Sequence, residues 1–291
     1  MPQNAGKRLV EAFSKQLEKI EYFSSMKNVS PNVAVHELRK SFKRMRALIR
    51  FYHFRSDDIF VDSKNQLKYF GRSFSRMRES FVNLQVFEKM SNSDVLIAEK
   101  KIKAAREKLT QNNKQLIEKG FLETEGYLPV QKFGQSLNAQ LDVLKENQPT
   151  INEIIKELQN SYIEAHEIFK DLSPDSSPVS FHELRKKLKR LMYQFEFIRY
   201  TQPRYFKSKT FQLNRITEQL GEDHDFFVFI NEIKNGAYDF DSEEIEILEN
   251  KIQHLREVNF VKLFPRLKQF FNESPPAFSS KLEINIKGKM K

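Results

Sequence analysis

The segment His36-Glu37-Leu38-Arg39-Lys40 returns letter for letter as His182-Glu183-Leu184-Arg185-Lys186, 146 positions later in a chain of 291 residues. The same offset relates Lys43-Arg44 to Lys189-Arg190, Phe42 to Leu188, Met45 to Leu191 and Ile49 to Phe195. It continues through Phe74 and Leu220, Glu79 and Asp225, and Phe81-Val82 and Phe227-Val228. A chance pentapeptide would not hold its register over so long a stretch. The offset is close to half the chain, so the chain reads as two copies of one unit.

That unit is helical. Leu9, Phe13, Leu17 and Ile20 share one side of a helix over about 5–27. Ser30-Pro31 and Ser177-Pro178 are helix starts, a capping residue followed by Pro at the first helical position. Further helices are expected at about 30–54, 63–90, 93–118, 151–171, 178–200, 206–234 and 243–258. A break falls at Ser56-Asp57-Asp58, and 119–149 reads as a connector with a short helix near 130–146. No alternating runs suffice for a sheet, and 8 Gly and 10 Pro are too few for the turns of an all-β chain. The expectation is an all-α fold of two helical-bundle halves, 1–148 and 149–273, followed by an irregular tail over 274–291.

Several chemistries are excluded or unsupported. With no Cys there is no disulfide, thiol nucleophile or thiolate metal site. No Gly-rich phosphate loop and no Ser/His/Asp constellation is present. His36-Glu37 opens like a zinc-protease helix but lacks a second His four residues after the first. His53, His166 and His254 read as surface or boundary residues. No metal, cofactor or catalytic group is expected, and a binding protein is the expected class. The start of the chain shows no secretory pattern and no window is apolar enough for a membrane span. An intracellular, cytoplasmic protein is expected.

Charge carries the functional reading. The chain has a formal net charge of +10, which favours an anionic partner. Val35–Tyr52 holds six Lys and Arg against one Glu. At 100° per residue, His36, Arg39, Lys40, Lys43, Arg46 and Arg50 fall in an arc of about 120°. The stripe is about 21 Å long at 1.5 Å per residue. Val35, Leu38, Phe42, Met45, Leu48, Ile49 and Tyr52 fill the opposite side. In the second copy His182, Arg185, Lys186 and Lys189 repeat the stripe over Leu184, Leu188, Leu191 and Phe195. Met192 and Glu196 replace Arg46 and Arg50 there. A charged face is ordinarily just a solvated face. A face of one sign, with no Glu four residues away to relieve it, costs repulsion that stability alone would not repeat twice.

HELRKSFKRMRALIRFY and HELRKKLKRLMYQFEFIR resemble the paired signature of CHAD domains, the conserved histidine α-helical domain. FSRMRES (74–80) and LGEDHDF (220–226) are similar to the family's second signature, with Ser75 in place of Gly and Glu79 in place of Asp in the first copy. The resemblance covers about residues 5–270. It implies two pseudo-symmetric helical bundles whose basic helices face a central cavity that binds inorganic polyphosphate, in a stand-alone domain. Carried onto this chain, the binding residues are His36, Arg39, Lys40, Lys43, Arg44, Arg46, Arg50, Arg72, Arg76, His182, Arg185, Lys186, Lys189 and Arg190, with Glu79 and Asp225 supporting. Arg78 adds to the first half, while Glu218, Glu222 and Asp223 make the second half less basic. Polyphosphate or another polyanion is the expected partner, with association at polyphosphate granules. Nucleic acid is the alternative, drawn by the same counterion release. The basic arc carries no aromatic in the first copy and only Tyr193 in the second, which disfavours base stacking.

Overall fold

A computed structural model describes residues 5–25, 29–53, 58–91, 97–122 and 127–288. Its regular structure, among the described residues, is entirely helical. The helices are α1 (Ala5–Ser24), α2 (Pro31–Ile49), α3 (Asp58–Ser73), α4 (Ser75–Ser91), α5 (Glu99–Ile117), α6 (Leu128–Ala139), α7 (Leu141–Glu146), α8 (Ile151–Lys170), α9 (Pro178–Ile198), α10 (Pro203–Lys234), α11 (Ser242–Phe270) and α12 (Pro275–Lys287). Ser56 and Asp57 of the expected break, and Gly126 of the expected connector, lie outside the described residues.

The start signals operate as the sequence suggests. Ser30 and Ser177 are extended caps, Pro follows each, and Ser177 accepts a hydrogen bond from the Ser180 amide at 3.3 Å. Thr150 with Glu153, and Asp241 with Glu244, close reciprocal capping boxes that satisfy otherwise orphaned amides.

Three boundaries differ from expectation, besides the connector, whose one short helix expected near 130–146 is two, α6 and α7. The segment expected as one helix over 63–90 is two, α3 and α4, meeting at Phe74. α11 continues past 258, through Pro265, to Phe270. Pro265 lies on the exposed side, where water can meet the carbonyl it frees. The apolar pattern fails at 258 because the buried Asn259 instead donates to the Gln219 carbonyl, at 2.9 Å. The third difference corrects the irregular tail. Residues 275–287 form α12, started by Ser274-Pro275, with Phe278, Leu282 and Ile286 wholly buried on one side. Phe278 stacks on Tyr162 of α8 at 3.8 Å. Full burial of such side chains is worth about 1.5–3 kcal/mol each, so packing holds this short helix.

The element order repeats. α1, α2, α3–α4, α5 and α6 are followed by α8, α9, α10, α11 and α12, each starting close to 146 positions on. Contacts repeat with them: α1 packs on α2 and α6 as α8 packs on α9 and α12, and α4 meets α5 as α10 meets α11. Across the halves, α2 packs on α9 and α4 on α10. Two separate apolar cores result. The larger lies under α1, α2, α8, α9 and α12; the smaller joins Phe87 and Met90 of α4 to Phe226, Phe229 and Ile233 of α10. No helix among the described residues is long and apolar enough to cross a membrane.

Candidate functional site

The packing of α2 on α9 decides which stripe residues share a site. Ala47 falls within the basic arc of α2, yet it is buried. Its small side chain admits α9, and its carbonyl accepts from Gln194 Nε2 at 3.3 Å. The crossing therefore cuts the stripe. Lys43, Arg39 and His36 remain on the side towards α3 and α4, and Arg50 lies beyond the crossing.

Contacts at this crossing are reciprocal under the 146-residue offset. Arg44 pairs with Glu196 at 3.0 Å and lies 5.3 Å over the Tyr193 ring, while its counterpart Arg190 sits near Arg50, the counterpart of Glu196. The second juxtaposition joins two cations, and α8 neutralises it. Glu157, almost wholly buried, accepts from Arg50 Nε at 2.5 Å, and Glu164 binds Arg50 at 3.2 Å, Arg190 at 3.1 Å and Lys187. Arg44, Arg50 and Arg190, three of the expected ligand residues, are thus held in the seam between helices. Replacing Arg50 by Met would take the cation from the buried Glu157 carboxylate and leave it only the neutral donors Gln194 and Ser161. The expected outcome in urea unfolding is a loss of about 3 kcal/mol, with anion binding by the folded protein retained.

Towards the other side, the two arginines that open the stripes are anchored alike. Arg39 Nη1 donates to the Gly71 carbonyl at 2.5 Å and to Ser75 Oγ at 2.8 Å. Gly71 lies in the last turn of α3, where carbonyls lack intrahelical donors and a cation is favoured. Arg185 Nε donates to the Thr217 carbonyl at 3.3 Å, and its guanidinium lies along Gly221, where an added Cβ would stand 2.9 Å from Nη2. Thr217 and Gly221 are the offset counterparts of Gly71 and Ser75. The Gly of the second signature thus leaves room for the arginine, and Ser75 fills the same place by hydrogen bonding.

These anchors bring cations from both halves together. Burial first, and then Arg39, Arg185, Lys189 and Arg78, hold the Lys43 ammonium down at about 7. Lys43 is nonetheless open to water. Lys189 is held at about 8, chiefly by burial and then by Arg185. Burial also lowers Arg39, Arg78 and Arg185 below their ordinary range, and Arg39 and Arg185 face each other closely enough to add to this. Two acids answer them. Glu79 steadies Arg39, and Asp225 serves Arg185 and Arg78, although burial pushes its carboxyl up to about 6.

The histidines flank this cluster. His36 is half exposed, and burial followed by Arg78 lowers its pKa. The His182 ring lies 4.1 Å from that of His224, which burial, His182, Arg185 and Lys43 hold at about 4. Burial, followed by Arg185, lowers His182 as well. Lys40 and Lys186 bind Glu37 and Glu183, three residues before them, at 3.2 Å in the first copy. The outer lysines therefore have acidic partners at a spacing of three. Arg46 lies exposed beside Arg72, and Arg76 is exposed. Among the described residues no group of three or more His, Asp and Glu is placed to hold a metal ion.

The site residues underestimated from sequence are Arg78 and His224, which the offset relates to each other, and the Gly71 and Thr217 carbonyls. The repeat itself was the signal for the first two; the carbonyls carry no sequence signal.

The all-helical fold agrees with the comparisons with known proteins. The CHAD domain family model matches residues 11–234, and the chain belongs to that family. Among solved structures, it is similar to the crystal structure of the CHAD domain from the plant Ricinus communis, with a TM-score of 0.61 and 15% identity, over 97% of this chain and 91% of that one. Comparison with curated proteins gave no match.

Proposed function

We propose that this protein binds inorganic polyphosphate, without catalysing its turnover, in a basic cavity enclosed between two duplicated halves. The observation that carries the reading is the convergence of Arg39 and Lys43 with Arg185 and Lys189 beside Arg78, in a polar layer between two apolar cores. Such a cluster is costly in the free protein and is relieved by a dense anion. Polyphosphate carries a charge on every unit and no bases. It suits forked guanidiniums and compact ammoniums in a partly desolvated place. Tyr193, the aromatic of the second basic arc, is buried under Arg44, and Phe81 is covered on one side by Arg78, which disfavours base stacking there. Membership of the CHAD family supports the same ligand, and we propose with it a role in bringing the protein to polyphosphate deposits.

Competition tests the reading. Long-chain polyphosphate should displace duplex DNA and RNA from the protein at physiological salt, and excess duplex should not displace polyphosphate. Displacement of polyphosphate by duplex under those conditions would refute it.

A further inference from the structure

Lys43 stands apart from the other lysines of the two basic helices. Lys40 and Lys186 are paired with Glu37 and Glu183, and Lys187 with Glu164. Lys189 is only partly exposed, and Glu218 and Glu196 act on it. Lys43 is exposed, and among the described residues it makes no hydrogen bond or ion pair. The charges that bear on it most are cations: Arg39 one turn earlier on α2, Arg185 and Lys189 on α9, and Arg78 on α4. His36 on α2, His182 on α9, and His224 and Asp225 on α10 also feel its charge, while Glu79 of α4 faces Arg39. This crowding disfavours the ammonium form, so Lys43 holds a free amine near neutral pH, where an ordinary lysine is protonated. Fixed guanidiniums stand beside that amine. Arg39 spends Nη1 on Gly71 and Ser75, and Arg185 spends Nε on Thr217. Among the described residues, Nε and Nη2 of Arg39 and both Nη atoms of Arg185 donate to no protein group. A free amine next to such forks suits attack on an acyl donor that carries a phosphate. The forks hold the phosphate in the donor and stabilise it again as the leaving group.

We propose that Lys43 is a modification site, acylated directly by small acyl phosphates whose phosphate group seats on Arg39 and Arg185. Lys43 Nζ attacks the acyl carbon, the bond from that carbon to the bridging oxygen breaks, and the electron pair leaves with the phosphate. The proton lost from Nζ goes to the departing phosphate, which leaves as hydrogen phosphate. The product is a neutral amide, and no oxidant or reductant takes part. Acylation removes one cation from the cluster and caps its amine, so it weakens the hold on any anion there. The proposal goes beyond the polyphosphate reading, since it needs the cluster to seat a single phosphate group.

Acetyl phosphate, added to the full chain at neutral pH and followed site by site with peptide mass spectrometry, tests this. An ordinary lysine is then unprotonated in less than about one molecule in a thousand, so Lys43 should outpace Lys40 and Lys186 by at least about ten-fold. Inorganic pyrophosphate should slow Lys43 and leave the other two unchanged. With N-acetoxysuccinimide, an acetyl donor that carries no phosphate, the lead of Lys43 should shrink. Arg185→Gln should slow Lys43 more towards acetyl phosphate than towards the neutral donor, a comparison that cancels any change in the amine itself. Lys43 reacting no faster than Lys40 and Lys186 would overturn the proposal. An equal lead with both donors, or no effect of pyrophosphate, would overturn the seating of the phosphate. Polyphosphate binding is measured separately on the unmodified protein. Its failure beside selective acetylation would sink the polyphosphate reading alone, and its success without selective acetylation would sink this proposal alone.

Discussion

Replacing Lys43 and Lys189 together by methionine should raise the unfolding temperature of the ligand-free protein and remove most of its affinity for polyphosphate. The two effects share one cause. In the unfolded chain a lysine titrates near its ordinary value of 10.5, whereas here Lys43 is held at about 7 and Lys189 at about 8. Between those values the unfolded chain binds more protons than the folded one, so stability rises with pH through this window. Below pH 7 the penalty for keeping both groups charged is complete. Methionine removes it while keeping most of the stem volume. The gain should therefore be greatest below pH 7 and fade towards pH 10. Lys43 is open to water, and screening discounts the gain to a rise of a few degrees. The loss on the ligand side is larger. Two hydrogen bonds to a charged ligand, at about 1.5–3 kcal/mol each, correspond to at least about 100-fold in affinity. Differential scanning calorimetry across pH and titration calorimetry at neutral pH measure the two effects. A variant that binds as the wild type would place the ligand elsewhere.

Reversing charge at Arg39 and Arg185 should abolish retention of polyphosphate outright. Each guanidinium is anchored on a backbone carbonyl, and Arg185 acts electrostatically on Arg39, so the double substitution to Glu puts two negative charges in the cluster. Lys43, Arg78 and Lys189 remain to compensate them, and helix content should be unchanged by circular dichroism. Arg39→Lys is informative beside it. Lysine keeps the charge but loses the fork that reaches Gly71 and Ser75 together, so an intermediate affinity is expected. Full retention by the double Glu variant would contradict the site.

Much of this was legible in the sequence because apolar spacing and a repeat are properties of the chain alone. The repeat located the basic arcs on α2 and α9, and the Ser-Pro starts fixed where those helices begin. What the chain could not show is where helices cross. Arg50 lies in the same arc as Lys43, and only the passage of α9 over Ala47 separates them. The carboxylates that take Arg50 and Arg190 come from α8, a helix with no unusual charge pattern. α12 went unseen because its apolar residues are widely spaced among Pro, Ser and Lys. Its place becomes plain once α6 is seen packing on α1 as α12 packs on α8. Position 221 shows the reverse case: the second signature marks its Gly, and the Arg185 guanidinium beside it supplies the reason.

Titration calorimetry of the single variants Arg39→Glu and Arg185→Glu against a short polyphosphate measures whether the two stripes serve one ligand. A shared site predicts that each substitution weakens every binding event by a similar factor, with no residual population at wild-type affinity. Half the wild-type capacity at undiminished affinity in either variant would mean two independent sites.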